Sequence, residues 1–287
     1  MHAFPIPVVA ATQTLGPGSH QEDETLDYLP MPHDMRTFQT PILPEPEEMR
    51  DRTAARSWLG QLLEAARKWR PGKVSFSLDM EPLSEADRQL IDQVLGEGEV
   101  SAQVSGEAGT EAGTLSIQES VFAGVWRIRG RDLDDRVHTD RVEVGDVPAA
   151  IRAAAQAGRA APSQAPTGPG VINAPALLAE IAEHTARPAG SHHVINLSLL
   201  PFGPEDGAWL DERLGRGRAT LLSRGYGNCR ITATGIARVW WVQYFNSQDA
   251  LILNTIEISD VPEVARASAE DLEDSAERLA EVIAWIG

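Results

Sequence analysis

The sequence predicts an α+β fold of two tandem pseudo-repeats, each a helix, a strand and a second helix followed by an antiparallel meander and a C-terminal helix. Three observations support this prediction. The similar phrases "VLGEGEV" and "RLGRGRA" occur in the two halves of the 287-residue chain. Stretches with helical periodicity alternate with stretches of strand-like alternation. The turns between strands are short and polar or glycine-rich, which favours antiparallel pairing.

The similarity extends well beyond the two phrases. Leu95 corresponds to Leu214, and the same offset places "SFSLDMEPLS" over "VINLSLLPFG". Further along, Trp126 corresponds to Trp240, and "VEVGDVP" to "IEISDVP". The offset changes across the loop "GEAGTEAGT", where an insertion is tolerated. We therefore expect the two halves to contain the same elements in the same order.

The first unit opens with an amphipathic helix in "AARSWLGQLLEAARKW", whose apolar residues form one stripe. A strand is predicted over 74–78. The second helix begins after Ser84, with Asp87 three residues later as in a capping box, and ends at Gly96. The segments "VFAGVWRI" and "RVEV" are predicted to be strands of the meander.

The second unit repeats this order. Its first helix is predicted to begin at Asn173 as the N-cap, a strand follows over 194–199, and Pro204 lies near the start of the second helix. The segments "GIARVWWVQYF" and "TIEI" alternate as strands. The C-terminal helix is predicted to begin at Ser268, with Asp271 at the capping position.

The closely spaced glycines of both units are interpreted as structural. Gly96 and Gly215 are expected to stop helices, and Gly98 and Gly217 to let the backbone turn into the next strand. A dinucleotide-binding loop requires the reverse order, strand to helix.

The repeated Glu-x-x-Asp of "VEVGDVP" and "IEISDVP" allows two interpretations. The carboxylates could work as an acid–base pair. Alternatively, Asp146 and Asp260 could accept free N–H groups at the start of the next helix. Recurrence at equivalent places, each time before Val-Pro, favours capping.

Composition divides the chain into four segments. Residues 1–48 are rich in proline and carboxylates and are expected to form an extended or partly disordered acidic arm. The first repeat is predicted over 49–153 and the second over 171–287. The stretch between them, 154–170, has the proline, glycine and alanine content of a linker.

Charge excludes several classes of partner. The chain has 42 acidic and 25 basic side chains and a formal net charge of −17. Such a field repels phosphate backbones and anionic lipids, so we expect no nucleic-acid or membrane partner, and it would steer basic clients. No apolar run is long enough to span a bilayer and no signal peptide is recognised, so a cytoplasmic location is predicted.

Motifs for catalysis and metal binding are missing. The sequence has no phosphate loop, nucleophile elbow, H-E-x-x-H pattern or C-x-x-C pair. Its one cysteine, Cys229, is expected to be buried and inert. His192 and His193 point to opposite faces if they lie in a strand, so a metal site with His184 is disfavoured. The prediction is therefore no enzyme, no cofactor and no metal.

Exposed aromatic side chains are the remaining candidates for function. Trp240 and Trp241 are adjacent on a strand, so one of them is expected to face solvent. Aromatic residues near glycines are common at protein contacts. The candidate client-binding residues are Tyr226, Asn228, Trp240, Trp241 and Tyr244.

Several long phrases resemble the HupH/HyaF family of hydrogenase expression/formation proteins. They are "LGEGEVS", "SRGYGNCRITATGIARVWWVQYF", "NTIEISDVPEVARASAEDLEDSAERLAEVIAW" and the opening "LGPGS". The resemblance covers almost the whole chain. Where members often have Gly-Tyr-Gly-Glu-Ser, this chain has asparagine and cysteine at the last two positions, which argues against cluster binding by Cys229.

The resemblance implies a non-catalytic accessory protein in the maturation of uptake [NiFe] hydrogenase. Such a protein would act as a chaperone that binds the iron–sulfur small subunit before assembly, together with other accessory proteins. A metal or iron–sulfur cluster carrier using His184, His192, His193 and Cys229 is the alternative. An enzyme that works through the repeated carboxylates is the third possibility.

Overall fold

All ten strands of the described chain join a single antiparallel sheet. A computed structural model describes residues 43–106, 113–132, 134, 136–162, 166–225 and 227–286. Its helices are α1 (Pro46–Met49), α2 (Thr53–Lys68), α3 (Glu85–Leu95), α4 (Ala149–Gln156), α5 (Ala174–Thr185), α6 (Pro204–Leu214) and α7 (Ala269–Ile286). Its strands are β1 (Phe76–Asp79), β2 (Val100–Ser105), β3 (Thr114–Glu119), β4 (Val125–Arg131), β5 (Val137–Val144), β6 (His193–Asn196), β7 (Arg216–Ser223), β8 (Asn228–Thr234), β9 (Val239–Phe245) and β10 (Leu251–Ile258).

The strand order is β1-β5-β4-β3-β2-β7-β8-β9-β10-β6. Each half contributes five consecutive strands, with its first strand at the outer edge. The halves meet where β2 pairs with β7, with Ser101 opposite Leu222 and Gln103 opposite Thr220. The predicted α+β class with antiparallel pairing is confirmed.

Helices cover the two faces of the sheet unequally. On one face, α2, α3 and α7 bury a core against the first half, and α5 and α6 bury another against the far end of the second half. On the opposite face, α4 and a 3₁₀ turn at Glu263–Ala265 cover the centre, over Trp126 and Trp240. The three clusters together form a core on both sides of one sheet.

The C-terminal helix of the second half packs on the first half. Helix α7 lies against α2, and its Leu272, Leu279 and Ile286 belong to the same core as Trp58. Gly124, with φ +77°, permits the contact because an added Cβ would lie 2.3 Å from a methyl carbon of Leu272. The helices of the first half alone therefore do not close its core.

The segment that connects the two halves also contacts both of them. Helix α4 includes 154–156, the first part of the predicted linker, and buries Ala154 and Ala155. It packs across the junction on β2 and β7. Arg159 then forms a bridge with Ile236 of the second half.

Of the predicted arm, 1–42 lie outside the described residues, and α1 begins within 43–48.

Two helix starts follow the predicted capping pattern. The Ser84 hydroxyl accepts the N–H of Asp87, and the Ser268 hydroxyl accepts that of Asp271. The predicted strand over 194–199 is too long: β6 ends at Asn196, whose side chain accepts the N–H of Ser198 and starts a 3₁₀ turn.

The turn glycines are required by backbone geometry. Gly96 and Gly215 end α3 and α6 with φ of +56° and +66° and extended ψ, a region almost restricted to glycine. At Gly98 and Gly217, an added Cβ would lie 2.2 Å from the carbonyl oxygen of Ser120 and 2.4 Å from that of Thr234. These two positions need glycine because neighbouring backbone approaches closely.

The side chains of Asp146 and Asp260 do not cap helices. Pro148 is the N-cap of α4, and the N–H of Ala149 donates to Glu143 instead. Pro262 precedes the 3₁₀ turn, again without a side-chain cap, and Oδ1 of Asp260 is buried with no hydrogen-bond partner. The capping prediction is therefore wrong for both aspartates. The Val-Pro that follows each of them lies between the aspartate and the first free N–H groups of the helical turn, so the carboxylate does not reach those groups.

Candidate functional site: an open arginine face of the sheet

The centre of the sheet is open on the face that carries the two outer helix groups. Cross-strand register places Gln103, Ser116 and Arg129 in one row on this face, and all three are exposed. The row continues through Thr220 and Thr232 to Trp241, which are half-buried. A polar surface thus runs across the junction between the halves.

Positive charge is concentrated on this surface. The six strands β2, β3, β4, β7, β8 and β9 contain a single acidic residue, Glu119. They contain six arginines, and alternation places all of them on the same side of the sheet as this surface, where Arg127 is buried: Arg127, Arg129, Arg131, Arg216, Arg218 and Arg230. We call this surface the arginine face. The arginines are concentrated here in a chain whose formal net charge is −17.

Helix α3 fixes one end of the arginine face. Asp92 accepts a hydrogen bond from Nε of Arg127 at 2.7 Å and also pairs with Arg129. Asp140 on β5 binds Arg127 from the other side. Burial disfavours the charge of Arg127, but these two carboxylates raise its pKa overall. The Arg127 guanidinium is therefore held rigidly and stays charged.

The predicted client-binding residues divide between the two faces. Asn228 is exposed and Trp241 half-buried, and both lie on the open face, where the Trp241 N–H donates to Oδ1 of Asn254 at 2.5 Å. Trp240 points the other way and is fully buried, its N–H donating to the carbonyl of Ser259. Trp240 is thus a core residue. Tyr226 lies outside the described residues.

Cys229 lies on the covered face with the half-buried Tyr244. Its side chain is 3% exposed and contacts the Tyr244 hydroxyl. Burial raises the pKa of Cys229 to about 12, while the hydrogen bond from Tyr244 acts in the opposite direction. At neutral pH the sulfur is a protonated thiol, the form that neither attacks electrophiles nor binds metals well.

The predicted carboxylate candidates serve structural contacts. Both oxygens of Asp146 lie within 2.7 Å of the Arg152 guanidinium, and Oδ2 also accepts from Arg266. This joins the end of the first half to the segment before α7. Glu143, the glutamate of the same Glu-x-x-Asp motif, is buried, and it accepts hydrogen bonds from Arg141 and from the N–H of Ala149.

A histidine cluster lies beside α5. The rings of His184 and His193 are stacked with centroids 3.4 Å apart, and Nε2 of His193 lies 2.7 Å from Oε1 of Glu180. Partial burial, followed by the charges of His193 and Arg187, lowers the pKa of His184. In the part of the chain that the structure describes, this is the one group of three side chains able to ligate a metal together. His192 instead faces Glu257.

The match to a family model identifies the family. The model described as HupH hydrogenase expression protein, C-terminal conserved region, matches residues 53–163 and again 171–286. The chain belongs to the HupH family of hydrogenase expression proteins. One match covers each half of the chain, and the two are separated by residues 164–170.

Curated relatives match over nearly their whole length. The hydrogenase expression/formation protein HoxQ of Cupriavidus necator is 49% identical, over 100% of this chain and 99% of the relative. HupH of Rhodobacter capsulatus is 46% identical over 93% and 94%. The hydrogenase-1 operon protein HyaF of Escherichia coli is 32% identical over 95% of each chain. The resemblance to the HupH/HyaF family is confirmed.

Sequence reasoning missed the arginine face of this HupH-family chain, although a signal was present. The segments "RIRGR" and "RGRA" carry arginine at every second position, which in a strand aligns the side chains on one face. Among the helices of the described ranges, none combines the length and apolarity needed to cross a membrane.

Proposed function

We propose that this protein is a non-catalytic accessory protein of hydrogenase formation that works in the cytoplasm as a chaperone of the iron–sulfur small subunit. The names of its relatives, hydrogenase expression/formation protein and hydrogenase-1 operon protein, support the hydrogenase connection. The chaperone role is favoured because Asp146, Glu143 and Cys229 are engaged in structural contacts. These candidates for chemistry are thus accounted for without catalysis.

The arginine face is the observation that carries the proposal. An acidic protein gains solubility from its net negative charge. A cluster of arginines on one surface reduces that net charge, so solubility does not explain the cluster. Arginine is enriched at protein–protein contacts because its planar group pairs with carboxylates in two hydrogen bonds. We therefore infer that the client presents an acidic segment to this face. The exposed polar side chains between the arginines would form the rim of the contact.

We also propose that the halves are tandem repeats of one ancestral unit. The double match of the family model and the mirrored strand order support this idea. On this view 49–153 and 171–287 are the repeats, 154–170 joins them, and 1–48 is an arm outside both. The duplication would place the arginines of β4 in the first unit and those of β7 and β8 in the second unit on one side of the same sheet, with β2 and β3 between them.

A charge-insertion experiment tests the proposal. The double substitution Gln103→Glu and Ser116→Glu adds two negative charges to exposed positions of the arginine face. The control, Ala153→Glu with Gln156→Glu, adds the same charge to exposed positions of α4 on the opposite face. Binding of each variant to the purified hydrogenase small subunit is measured by titration, with circular dichroism as the check on folding.

We expect the face variant to bind at least tenfold more weakly, and the control to bind within twofold of the wild type. Equal binding by all three proteins would contradict the role of the face. Absence of binding by the wild type would contradict the identity of the client. The metal-carrier alternative through Cys229 has less support because the thiol is buried.

A further inference from the structure

We propose that Glu180, His184 and His193 form a binding site for a divalent transition metal such as Zn²⁺. This site is independent of the proposed client and of the arginine face. One carboxylate and two imidazoles are a ligand set that such ions accept, with the remaining positions open to water. An ion there would be exchangeable, since structural zinc sites usually have four protein ligands.

The ligand spacing supports the assignment. Glu180 and His184 are one turn apart on α5, so they project from the same side of the helix. His193 is the first residue of β6 and faces them. One potential ligand atom of each side chain lies within 4.8 Å of the others. Ligands of a tetrahedral zinc ion are roughly 3.5 Å apart, so turning the stacked rings about their side-chain bonds brings them into range.

The support behind the site is rigid. The buried Arg238 donates hydrogen bonds to the carbonyl oxygens of Thr185 at 2.8 Å and Arg187 at 2.9 Å. Those bonds hold the end of α5, directly after His184. On the other side, His193 is fixed by pairing with Ile258 of β10. A site assembled on a pinned helix end and a paired strand loses little conformational freedom when it binds an ion.

Access and charge also suit a cation. All three side chains are half-buried, so an ion could enter from solvent and retain a bound water. Glu183 and Arg187 pair with each other at 2.8 Å nearby, which leaves Glu180 as the carboxylate directed at His193. The chain has a net charge of −17, which favours approach of divalent cations in general. Matched control variants are therefore needed to separate binding at this site from that general attraction.

The test uses the tag-free full chain with Zn²⁺ in titration calorimetry, and Co²⁺ as a spectroscopic substitute. The variants are His184→Gln, His193→Gln and Glu180→Gln. Two controls are His192→Gln, adjacent to the site but directed at Glu257, and Glu183→Gln, exposed on the same helix. Thermal unfolding of each variant without metal shows whether it is folded.

We expect one Zn²⁺ per chain at this site, a visible Co²⁺ absorption, and at least a tenfold loss of affinity in each ligand variant. The controls should bind within twofold of the wild type. Zn²⁺ should raise the melting temperature of the wild type but not that of folded His193→Gln. Wild-type affinity in His184→Gln and His193→Gln, equal losses in the controls, or no stoichiometric binding would each overturn the site.

Discussion

At the scale of single residues, burial determines which candidate side chains can do chemistry. Cys229, Trp240 and Glu143 all have features that suggest function in a sequence. In the structure each is enclosed and satisfied by a neighbour: the Tyr244 hydroxyl, the Ser259 carbonyl and Arg141. The accessible surface is instead formed by polar residues such as the exposed Arg129 and Arg216 and the half-buried Thr220, which have no feature that suggests function in a sequence.

The buried thiol leads to a direct prediction. Because the pKa of Cys229 is raised to about 12, only about one molecule in ten thousand carries a thiolate at pH 8. We expect the native protein to be unreactive toward a disulfide reagent over an hour, and the urea-unfolded protein to release one equivalent. Rapid labelling of the native protein would contradict the described burial.

A second prediction concerns Glu119, whose pKa burial raises to about 7. In the unfolded chain this carboxyl has a pKa near 4.5, so between pH 4.5 and about 7 the folded state retains a proton that the unfolded state has lost. Rising pH therefore destabilises the folded protein through this group, by about 3 kcal/mol when the transition is complete.

Glu119→Gln, which stays neutral, isolates this effect. We expect its free energy of unfolding to exceed that of the wild type by an amount that grows as the pH rises from about 5 to 8. Urea denaturation at several pH values measures it. A difference that is constant with pH would show that Glu119 ionises normally in the folded state.

At the scale of helices and strands, the sequence predicted those features that depend on residues close together in the chain. Apolar periodicity indicated the helices near 53–68 and 269–286, and Ser84 and Ser268 cap as expected. The extra strand residues after Asn196 were wrong because the alternating Leu197-Ser198-Leu199 resembles a strand, whereas the Asn196 side chain bends the backbone into a 3₁₀ turn.

Contacts between distant elements could not be predicted in this way. Asn173 was expected to cap α5 with its side chain. Instead, Oδ1 of Asp206, on α6, accepts the N–H groups of Ile172, Asn173 and Ala174 at 2.8–2.9 Å. Burial alone would raise the pKa of Asp206, but these donors lower it. No local pattern reveals an acceptor more than 30 residues away.

This contact supplies the prediction at the element scale. Asp206→Ala leaves three N–H groups at the start of α5 without their acceptor and should lower the free energy of unfolding by about 2–4 kcal/mol. Glu212→Ala on the exposed side of α6 is the control, with a change of about 0.5 kcal/mol or less. Urea denaturation compares the free energies of unfolding of the two variants. Equal decreases in both would show that the hydrogen bonds to Asp206 do not stabilise the protein.

At the scale of the whole molecule, the halves are interlocked. Helix α7 closes the core of the first half, α4 packs across the central junction, and Asp146 is bound by Arg152 of one half and Arg266 of the other. Amphipathic periodicity shows which side of a helix is buried but not which element it packs against. The packing of α7 on the first half could therefore not be predicted from the sequence. The same is true of the site, since only the order of strands brings "RIRGR" and "RGRA" onto one surface.

The interlocked sheet gives the arginine face its size and its fixed shape. Since β2 and β7 pair directly, arginines from both halves share one continuous surface without a hinge between them. A rigid, preformed surface loses little freedom on binding, which suits recognition of a folded client or of one segment of it.

Site-specific photo-crosslinking tests this central claim most directly. A photoreactive residue at position 103 lies on the arginine face, and one at position 156 lies on the opposite side of the sheet. In cells that assemble hydrogenase, we predict that position 103 crosslinks to the hydrogenase small subunit and position 156 does not. Crosslinking from position 156 with none from position 103 would contradict the arginine face as the client-binding surface.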